Sequence, residues 1–198
     1  MKNKLSEMNK IRYFFLAAMG IMMTLATIAQ AGKKTGNFNV VVKGSSNLHD
    51  WTMKAGGNIE GTFNMAPGVS YLAGIPSLTF NLPVKSLKSG ESLMDSRAYT
   101  ALKEDKNPNI SFKLVSATVS GVQQNKSVVN VTGVLTIAGT ARQLTLSGNS
   151  ATAADGSVVV TGSKSFKMSE FGIKPPTFML GALKVKDDVT IEYSAKFK

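Results

Sequence analysis

The chain has 198 residues, a formal net charge of +11, one histidine, one tryptophan and no cysteine. The lack of cysteine excludes disulfides, thiolate metal sites and cysteine nucleophiles. Its lysines are spread singly rather than clustered among aromatic residues, which favours solvated strand faces over a nucleic-acid surface, so no nucleic-acid partner is expected.

Residues 1–31 have the layout of a secretory signal peptide. A basic start (residues 2–12) precedes an apolar run (13–28) that ends in the small-x-small pattern Ala29-Gln30-Ala31. The run is shorter than the roughly 20 residues that span a bilayer. We therefore expect cleavage after Ala31, a periplasmic or secreted location, and no transmembrane segment in the mature chain. The remaining 167 residues carry +8 of the net charge and fit one domain, 32–198.

Apolar and polar residues alternate with a period of two along most of this domain. The pattern is clearest over 51–65 and over 183–197, where only Asp187 interrupts the apolar row. Shorter alternating runs lie at 38–42, 78–82, 110–114, 129–137, 144–146 and 158–168. Turn-forming residues such as Asp155-Gly156 separate several of them. About eight long amphipathic strands joined mostly by short turns predict an all-β, antiparallel, eight-stranded barrel.

Two segments depart from the alternation. Residues 91–104 place apolar residues at helical spacing after a Lys-Ser-Gly turn, and Asn107-Pro108 marks the start of the next strand, so a single short helix is predicted. Residues 169–182 contain paired prolines, two glycines and large apolar residues. This composition indicates a loop or short helical turn that crosses one end of the barrel.

The segment His49-Asp50-Trp51 holds the only histidine and the only tryptophan. Neighbouring strand residues point to opposite faces, no Gly-x-Ser-x-Gly motif is present, and one imidazole rarely suffices for a metal site. We therefore expect no enzyme activity, no metal and no cofactor, although a hydrolase that uses His49 remains a rival hypothesis. Trp51 begins an apolar row, so it is predicted to face the interior, where its ring nitrogen needs a partner. His49 is then either a rim hydrogen-bond donor or simply solvated.

Several segments resemble the YceI-like family. They are ALKEDKNPNISFKL (101–114), VTGVLTIAGTARQLTL (131–146), FKMSEFGIKPPTFMLGALKVKDDVTIEY (166–193) and, for a branch that contains His-Asp-Trp, SSNLHDWTM (45–53). The resemblance covers nearly all of the domain in the right order. It implies an extended lipocalin-like barrel with an apolar interior, which binds a polyisoprenoid, a quinone-like molecule or another lipid.

Strand parity then supplies candidate ligand-binding residues. Most are large apolar residues on the inward rows or in the segment 169–182, and Arg97 and Tyr99 on the helix are candidates for contacts with a polar head group. The full set is Trp51, Met53, Phe63, Phe80, Leu82, Arg97, Tyr99, Phe112, Leu114, Phe166, Met168, Phe171, Phe178 and Met179.

Some alternatives stay open at this point. Small inward residues (Ala55, Gly57, Gly61 and Gly133) either leave room for a chain-like ligand or permit tight packing. A barrel filled by side chains would instead indicate a structural or interaction protein of the cell envelope. The sequence does not decide whether the chain forms a homodimer.

Overall fold

A computed structural model describes residues 32–65 and 71–198, with side chains described for 35–57 and 71–198. The predicted signal peptide lies outside these residues. Nine strands and one helix, α1 (Ser92–Ala101), are present in the described part of the chain. The strands are β1 (Gly32–Ser46), β2 (Asp50–Met65), β3 (Leu72–Pro83), β4 (Asn109–Gln123), β5 (Lys126–Ile137), β6 (Thr140–Thr152), β7 (Val158–Lys167), β8 (Thr177–Phe178) and β9 (Leu183–Phe197).

The eight long strands form a closed antiparallel ring. Consecutive strands pair from β1 to β7, β7 pairs with β9, and β9 pairs back to β1. The two-residue strand β8 adds only to the start of β9. Some of these pairings are partial, since β3 pairs with β4 only over residues 79–83 and β6 pairs with β7 only over residues 148–152. The ring confirms the predicted eight-stranded, lipocalin-like barrel.

The turns follow the local chemistry of the sequence. Ile137 pairs with Thr140 across a two-residue loop in which Ala138 and Gly139 both have positive φ, as a type I′ hairpin requires. The predicted Asp-Gly turn connects β6 to β7, where Gly156 has a φ of 75° and Asp155 accepts a hydrogen bond from the Ser157 amide. These tight connections keep successive strands adjacent and antiparallel.

One end of the barrel, here called the mouth, is covered by non-strand segments. They are the turn 46–50, the helix α1, and a strap (residues 168–182) that contains β8 and two short 3₁₀ helices, Met168–Phe171 and Met179–Gly181. Both the single helix and the irregular segment after β7 were predicted. Within the described residues, no helix is long and apolar enough to cross a bilayer.

Three aromatic rings divide the barrel interior, and we call them the phenylalanine floor (Phe38, Phe80 and Phe112). The ring centroids of Phe38 and Phe80 are 5.1 Å apart, and those of Phe80 and Phe112 are 5.6 Å apart and nearly parallel. Beyond the floor, away from the mouth, the interior is closed by buried side chains. They include Val129, Val131, Leu146, Val158 and Phe197.

Glycines make room for the floor. A methyl group at Gly133 would lie 2.3 Å from Cζ of Phe112, and one at Gly57 would lie 3.1 Å from Cε1 of Phe38. At these two inward positions the missing side chain is therefore replaced by a neighbouring aromatic ring. Tight packing, not space for a ligand, explains Gly57 and Gly133. Gly61 lies outside the described side chains.

Candidate functional site

The half of the barrel between the floor and the mouth encloses a cavity of about 280 Å³. Its wall is almost entirely apolar, and strands β1, β2, β3, β4, β5, β7 and β9 all contribute to it. Polar side chains reach it only near the mouth, from Ser46, His49, Glu91 and Arg97. An apolar pocket with a few polar groups at one end is the usual form of a site for an apolar ligand with a polar head.

The floor sets the depth of this cavity. On β1, β2, β4 and β5 the cavity wall ends on the mouth side of the floor. The last wall residues on these strands are Val40, Met53, Ile110 and Leu135. The next inward-facing residues, which do not line the cavity, are Phe38, Ala55, Phe112 and Gly133. Among the three floor rings, only Phe80 presents a surface to the cavity.

Eight of the predicted ligand-binding residues are brought together on the cavity wall. Seven of them are apolar and the eighth is a helix arginine. They are Trp51, Met53, Phe80, Leu82, Arg97, Phe166, Met168 and Phe178.

The other predicted residues lie elsewhere. Phe112 is in the floor, Leu114 packs at the edge of the core, and Phe171 is buried against Phe166 with 5.2 Å between ring centroids. Met179 is 72% exposed on the strap. The side chain of Phe63 lies outside the described residues.

Tyr99 is not among the residues that line the cavity. Its hydroxyl donates to the Leu87 carbonyl oxygen at 2.8 Å and accepts from Nζ of Lys88 at 2.7 Å, which raises the pKa of Lys88. Tyr99 therefore fastens α1 to the segment that follows β3. Tyr99 is thus not placed on the cavity wall beside Arg97.

Many wall residues were missed by the sequence analysis, which favoured aromatic and methionine side chains. The omitted residues include smaller aliphatic ones on the same alternating rows or the same helix. Examples are Val40, Val42, Ala98, Ile110, Leu135, Ile137, Val185, Val189 and Ile191, and one methionine of the helix, Met94, was omitted as well. Strand parity combined with distance from the mouth would have identified them, because the wall comes from the strand ends that meet there.

Trp51 lies on the wall because its cross-strand neighbour is a glycine. Gly44 pairs with Trp51, and a methyl group at Gly44 would lie 2.1 Å from Cζ2 of the indole, so the ring covers the glycine. The indole Nε1 is buried and has no hydrogen-bond partner within the described part of the chain. The described residues therefore do not supply the partner expected for this nitrogen. An unsatisfied buried donor of this kind costs about 1–3 kcal/mol.

The residues around His49 form a turn, not a catalytic relay. Ser46 Oγ donates to the His49 carbonyl oxygen at 2.9 Å and accepts from the amides of Leu48 and His49 at 3.2 Å. The imidazole Nδ1 lies 2.8 Å from the carbonyl oxygen of Asp50 and so donates to the backbone. Ser46 and the Asp50 carboxylate are thus not aligned with the ring as nucleophile and orienting acid. No group of three potential metal-ligating side chains occurs in the described ranges.

Two carboxylates hold the segments that cover the mouth. Asp95 on α1 accepts from the amide and the hydroxyl of Ser89, both at 2.7 Å, and this lowers the pKa of Asp95. Asp187 accepts from the hydroxyl and amide of Ser169, at 2.5 and 2.9 Å, which lowers its pKa in the same way. The residue that interrupts the apolar row of β9 is therefore the anchor of the strap.

Helix and strap also meet directly over the cavity. The guanidinium of Arg97 lies 4.0 Å from the ring centroid of Phe178, a cation–π contact. Both residues line the cavity. In the described residues no carboxylate lies within ion-pair distance of Arg97, so its hydrogen-bond donors remain available at the mouth.

Solved structures with the same fold are found in several bacteria. A polyisoprenoid binding domain from Saccharophagus degradans is 11% identical, with a TM-score of 0.60 over 85% of this chain and 99% of that chain. BcnA from Burkholderia cenocepacia is 19% identical, with a TM-score of 0.58 over 81% and 95%. The YCEI protein of Campylobacter jejuni is also 19% identical, with a TM-score of 0.52 over 70% and 79%.

Sequence comparison assigns the family. No curated protein matches the chain. The family model for the YceI-like domain, however, matches residues 27–197, which include every described strand and the helix. This protein therefore belongs to the YceI-like domain family.

Proposed function

We propose that this protein binds and carries an apolar chain molecule in the cavity between the phenylalanine floor and the mouth. The observation that carries the proposal is the cavity itself, about 280 Å³ in volume, with an apolar wall and polar groups confined to one end. Removing apolar ligand surface from water supplies the affinity, at about 0.8 kcal/mol for each buried CH₂. We propose no catalytic role, since Ser46 Oγ and His49 Nδ1 both donate to backbone carbonyl oxygens and form no relay with each other.

The proposed ligand is a polyisoprenoid, a quinone-like molecule or another lipid. Support comes from the apolar wall, from the family, and from the structural likeness to a domain described as polyisoprenoid binding. The chain of the ligand would extend towards Phe80, and its polar end would lie near Arg97. An acceptor oxygen of the ligand beside the indole would also give Trp51 Nε1 the partner that the fold leaves out.

The signal-like segment 1–31 supports an extracytoplasmic setting for this carrier. Such a setting suits the function, because an apolar chain cannot cross an aqueous compartment at useful concentrations unless its surface is covered. N-terminal sequencing of the protein exported by its own host tests the point. A mature chain that begins at Gly32 is the expected result, and a retained N-terminus would contradict it.

Native mass spectrometry of the mature protein, purified from its host, tests the binding function. The expected result is a stoichiometric adduct that organic extraction removes and lipid analysis identifies as a long-chain molecule. Ala98→Phe is a matched variant, because Ala98 lines the cavity from α1 and a phenyl ring there takes up part of the space without opening the core. The adduct of this variant should be weaker than that of the wild type. A clean unliganded mass that also fails to take up added polyprenols or quinones would overturn the proposal.

A further inference from the structure

Large apolar side chains surround the mouth on its outer surface. Seven such residues are exposed in the described part of the chain. Three of them lie on β4 and β5, and the other four lie on the segments that cover the mouth. These four, here called the apolar rim, are Leu48, Leu93, Met179 and Leu180.

The rim is held together by the fold. Asn47, next to Leu48, donates its side-chain amide to the Ala182 carbonyl oxygen at 2.8 Å and accepts from the Lys184 amide at 2.8 Å. The turn at 46–50 and the tip of the strap are thus joined side by side. Exposed apolar residues grouped on adjoining segments, as Leu48 is with Met179 and Leu180, often mark an interaction surface.

The tip of the strap is presented in a strained conformation. Met179 and Leu180 have φ values of 53° and 55°, in the left-handed region that bulky residues rarely adopt. Leu180 is fully exposed, so packing within the chain does not repay this cost. Strain that is maintained without internal compensation points to a function for the exposed side chains.

The strap tip and the residues that flank it in the chain carry charge of one sign, whereas the other mouth segments include Asp50 and Glu91. Residues 171–186 contain three lysines and no acidic residue. Lys184 and Lys186 are exposed on the outward face of β9, while Leu183 and Val185 on the opposite face line the cavity. An apolar tip flanked by lysines matches the boundary of an anionic bilayer, where apolar side chains enter the acyl region and lysines contact head groups.

The rim is also continuous with the cavity. Phe178 lines the cavity and directly precedes Met179, and Leu183 lines it just after the tip. We propose that the apolar rim docks this protein on an anionic phospholipid bilayer, with the mouth facing the membrane, so that the apolar ligand enters without crossing water. Docking on a membrane goes beyond the proposed carrier function. Only the entry of the ligand from the membrane rests on that function.

Labelling of single cysteines tests this docking. The chain has no cysteine, so Leu180→Cys and Val122→Cys each carry one environment-sensitive nitrobenzoxadiazole probe at a defined place. Val122 is an exposed apolar residue near the β4–β5 turn, at the opposite end of the barrel, and serves as the control. With vesicles of phosphatidylglycerol and phosphatidylethanolamine, we expect a blue shift of the probe at 180 and none at 122, and a much smaller shift with pure phosphatidylcholine.

Sedimentation with the same vesicles gives a second readout. Leu180→Asp should weaken vesicle binding by roughly tenfold or more, the effect of losing one buried leucine side chain, and Val122→Asp should leave it unchanged. Asp is compatible with a positive φ, so the strap is expected to stay folded. Uptake of a short, water-soluble prenol should be equal in the wild type and Leu180→Asp, which separates docking from ligand binding.

Three results would overturn the docking proposal. They are no vesicle binding by the wild type, equal blue shifts at 180 and 122, or a change in self-association caused by Leu180→Asp without any effect on vesicles. The last outcome would assign the rim to a second copy of the chain. Each can occur while prenol uptake remains intact, so failure of docking is distinguishable from failure of the carrier function.

Discussion

The two halves of this barrel are built from the same strands, but one interior is filled by side chains and the other is hollow. Beyond the phenylalanine floor, Val129, Val158 and Phe197 are buried to 2% exposure or less, and the interior is closed by side chains. Between the floor and the mouth the same rows of β1, β2, β4, β5 and β9 surround an open cavity. One half therefore supplies stability, and the other is free to supply a binding site.

The difference lies in whether the rings close the interior. At the floor, Phe38 and Phe112 lie over Gly57 and Gly133 and close the barrel, whereas near the mouth Trp51 lies over Gly44 as part of the cavity wall. Towards the mouth, aliphatic residues such as Val40, Val42 and Ile191 line the cavity without filling it, and α1 and the strap cover its end. Covering segments held by a few polar anchors are easier to open than a packed core.

The largest expected effect is on stability in the filled half. Phe112→Ala should lower the free energy of unfolding by about 3–5 kcal/mol, because it removes a buried ring and leaves a cavity behind. Phe166→Ala removes a half-buried ring from the cavity wall, so its cost should be clearly smaller. Chemical denaturation of both variants measures the difference. Equal losses would mean that the two halves do not differ in packing.

The next effect concerns the glycine beneath the floor. Gly133→Ala should cost about 1–3 kcal/mol, since the added methyl group would overlap both the Phe112 ring and the Lys113 carbonyl oxygen, 2.3 and 2.7 Å away. Gly56→Ala is the matched control, because its methyl group would meet only a side-chain oxygen of Asn39 at 3.0 Å and a carbonyl oxygen at 3.3 Å. Thermal unfolding of the two variants compares them, and a neutral Gly133→Ala would show that the ring is free to move.

The floor should also set the length of chain that the cavity accepts. In the wild type, affinity for a series of n-alcohols should rise roughly fourfold per added methylene, the equivalent of about 0.8 kcal/mol, until the chain reaches Phe80. Longer chains should gain nothing further. In Phe80→Ala the plateau should move to longer chains. Calorimetric titration of the series measures it, and an unchanged plateau in the variant would show that the floor is not the stop.

The smallest effect is the response of the mouth to acid. The pKa values of Asp95 and Asp187 are lowered in the folded chain by hydrogen bonds from Ser89 and Ser169. Their contribution to stability is therefore present above the unfolded value of about 3.9 and is lost as the pH falls through the lowered values. We expect protease cleavage of the strap to increase below about pH 4.

A variant pair isolates the anchor of the strap. Asp187→Asn should make the strap protease-sensitive already at neutral pH, because the neutral amide is a weaker acceptor for Ser169. Asp188→Asn, one residue away, removes only an exposed carboxylate 3.9 Å from Lys167 and should behave like the wild type. Equal sensitivity of the two variants would show that Asp187 does not hold the strap.

The sequence predicted the barrel because the strand rows are long and regular. The limits of β2 and β9 nearly coincide with the alternation at 51–65 and 183–197, and the helix falls within 91–104. Near the mouth, strand parity placed Trp51, Met53 and Phe80 on the inward face, and in the structure all three line the cavity. The alternation is a local pattern, so a strand can be predicted from it without knowing which residues meet across the barrel.

The boundary between the filled and hollow halves could not be predicted in the same way. It depends on which ring lies over which glycine across strands, as with Phe112 and Gly133, and on how α1 and the strap cover the end. Parity states that Phe112 and Phe166 both point inward, but it does not state how deep each lies. Helical position alone also suggested that Tyr99 meets a polar head group at the mouth, whereas in the structure its hydroxyl donates to the Leu87 carbonyl oxygen.

Quenching of Trp51 tests the central claim most directly. Trp51 is the only tryptophan of the chain and lies on the cavity wall, so a bromine atom on a bound chain must approach its indole. A brominated long-chain alcohol should quench the fluorescence of the wild type saturably with one site, and quenching should be clearly weaker in Ala98→Phe, where a phenyl ring occupies part of the space. Absence of quenching in the wild type, or equal quenching in Ala98→Phe, would contradict the assignment of this cavity as the binding site.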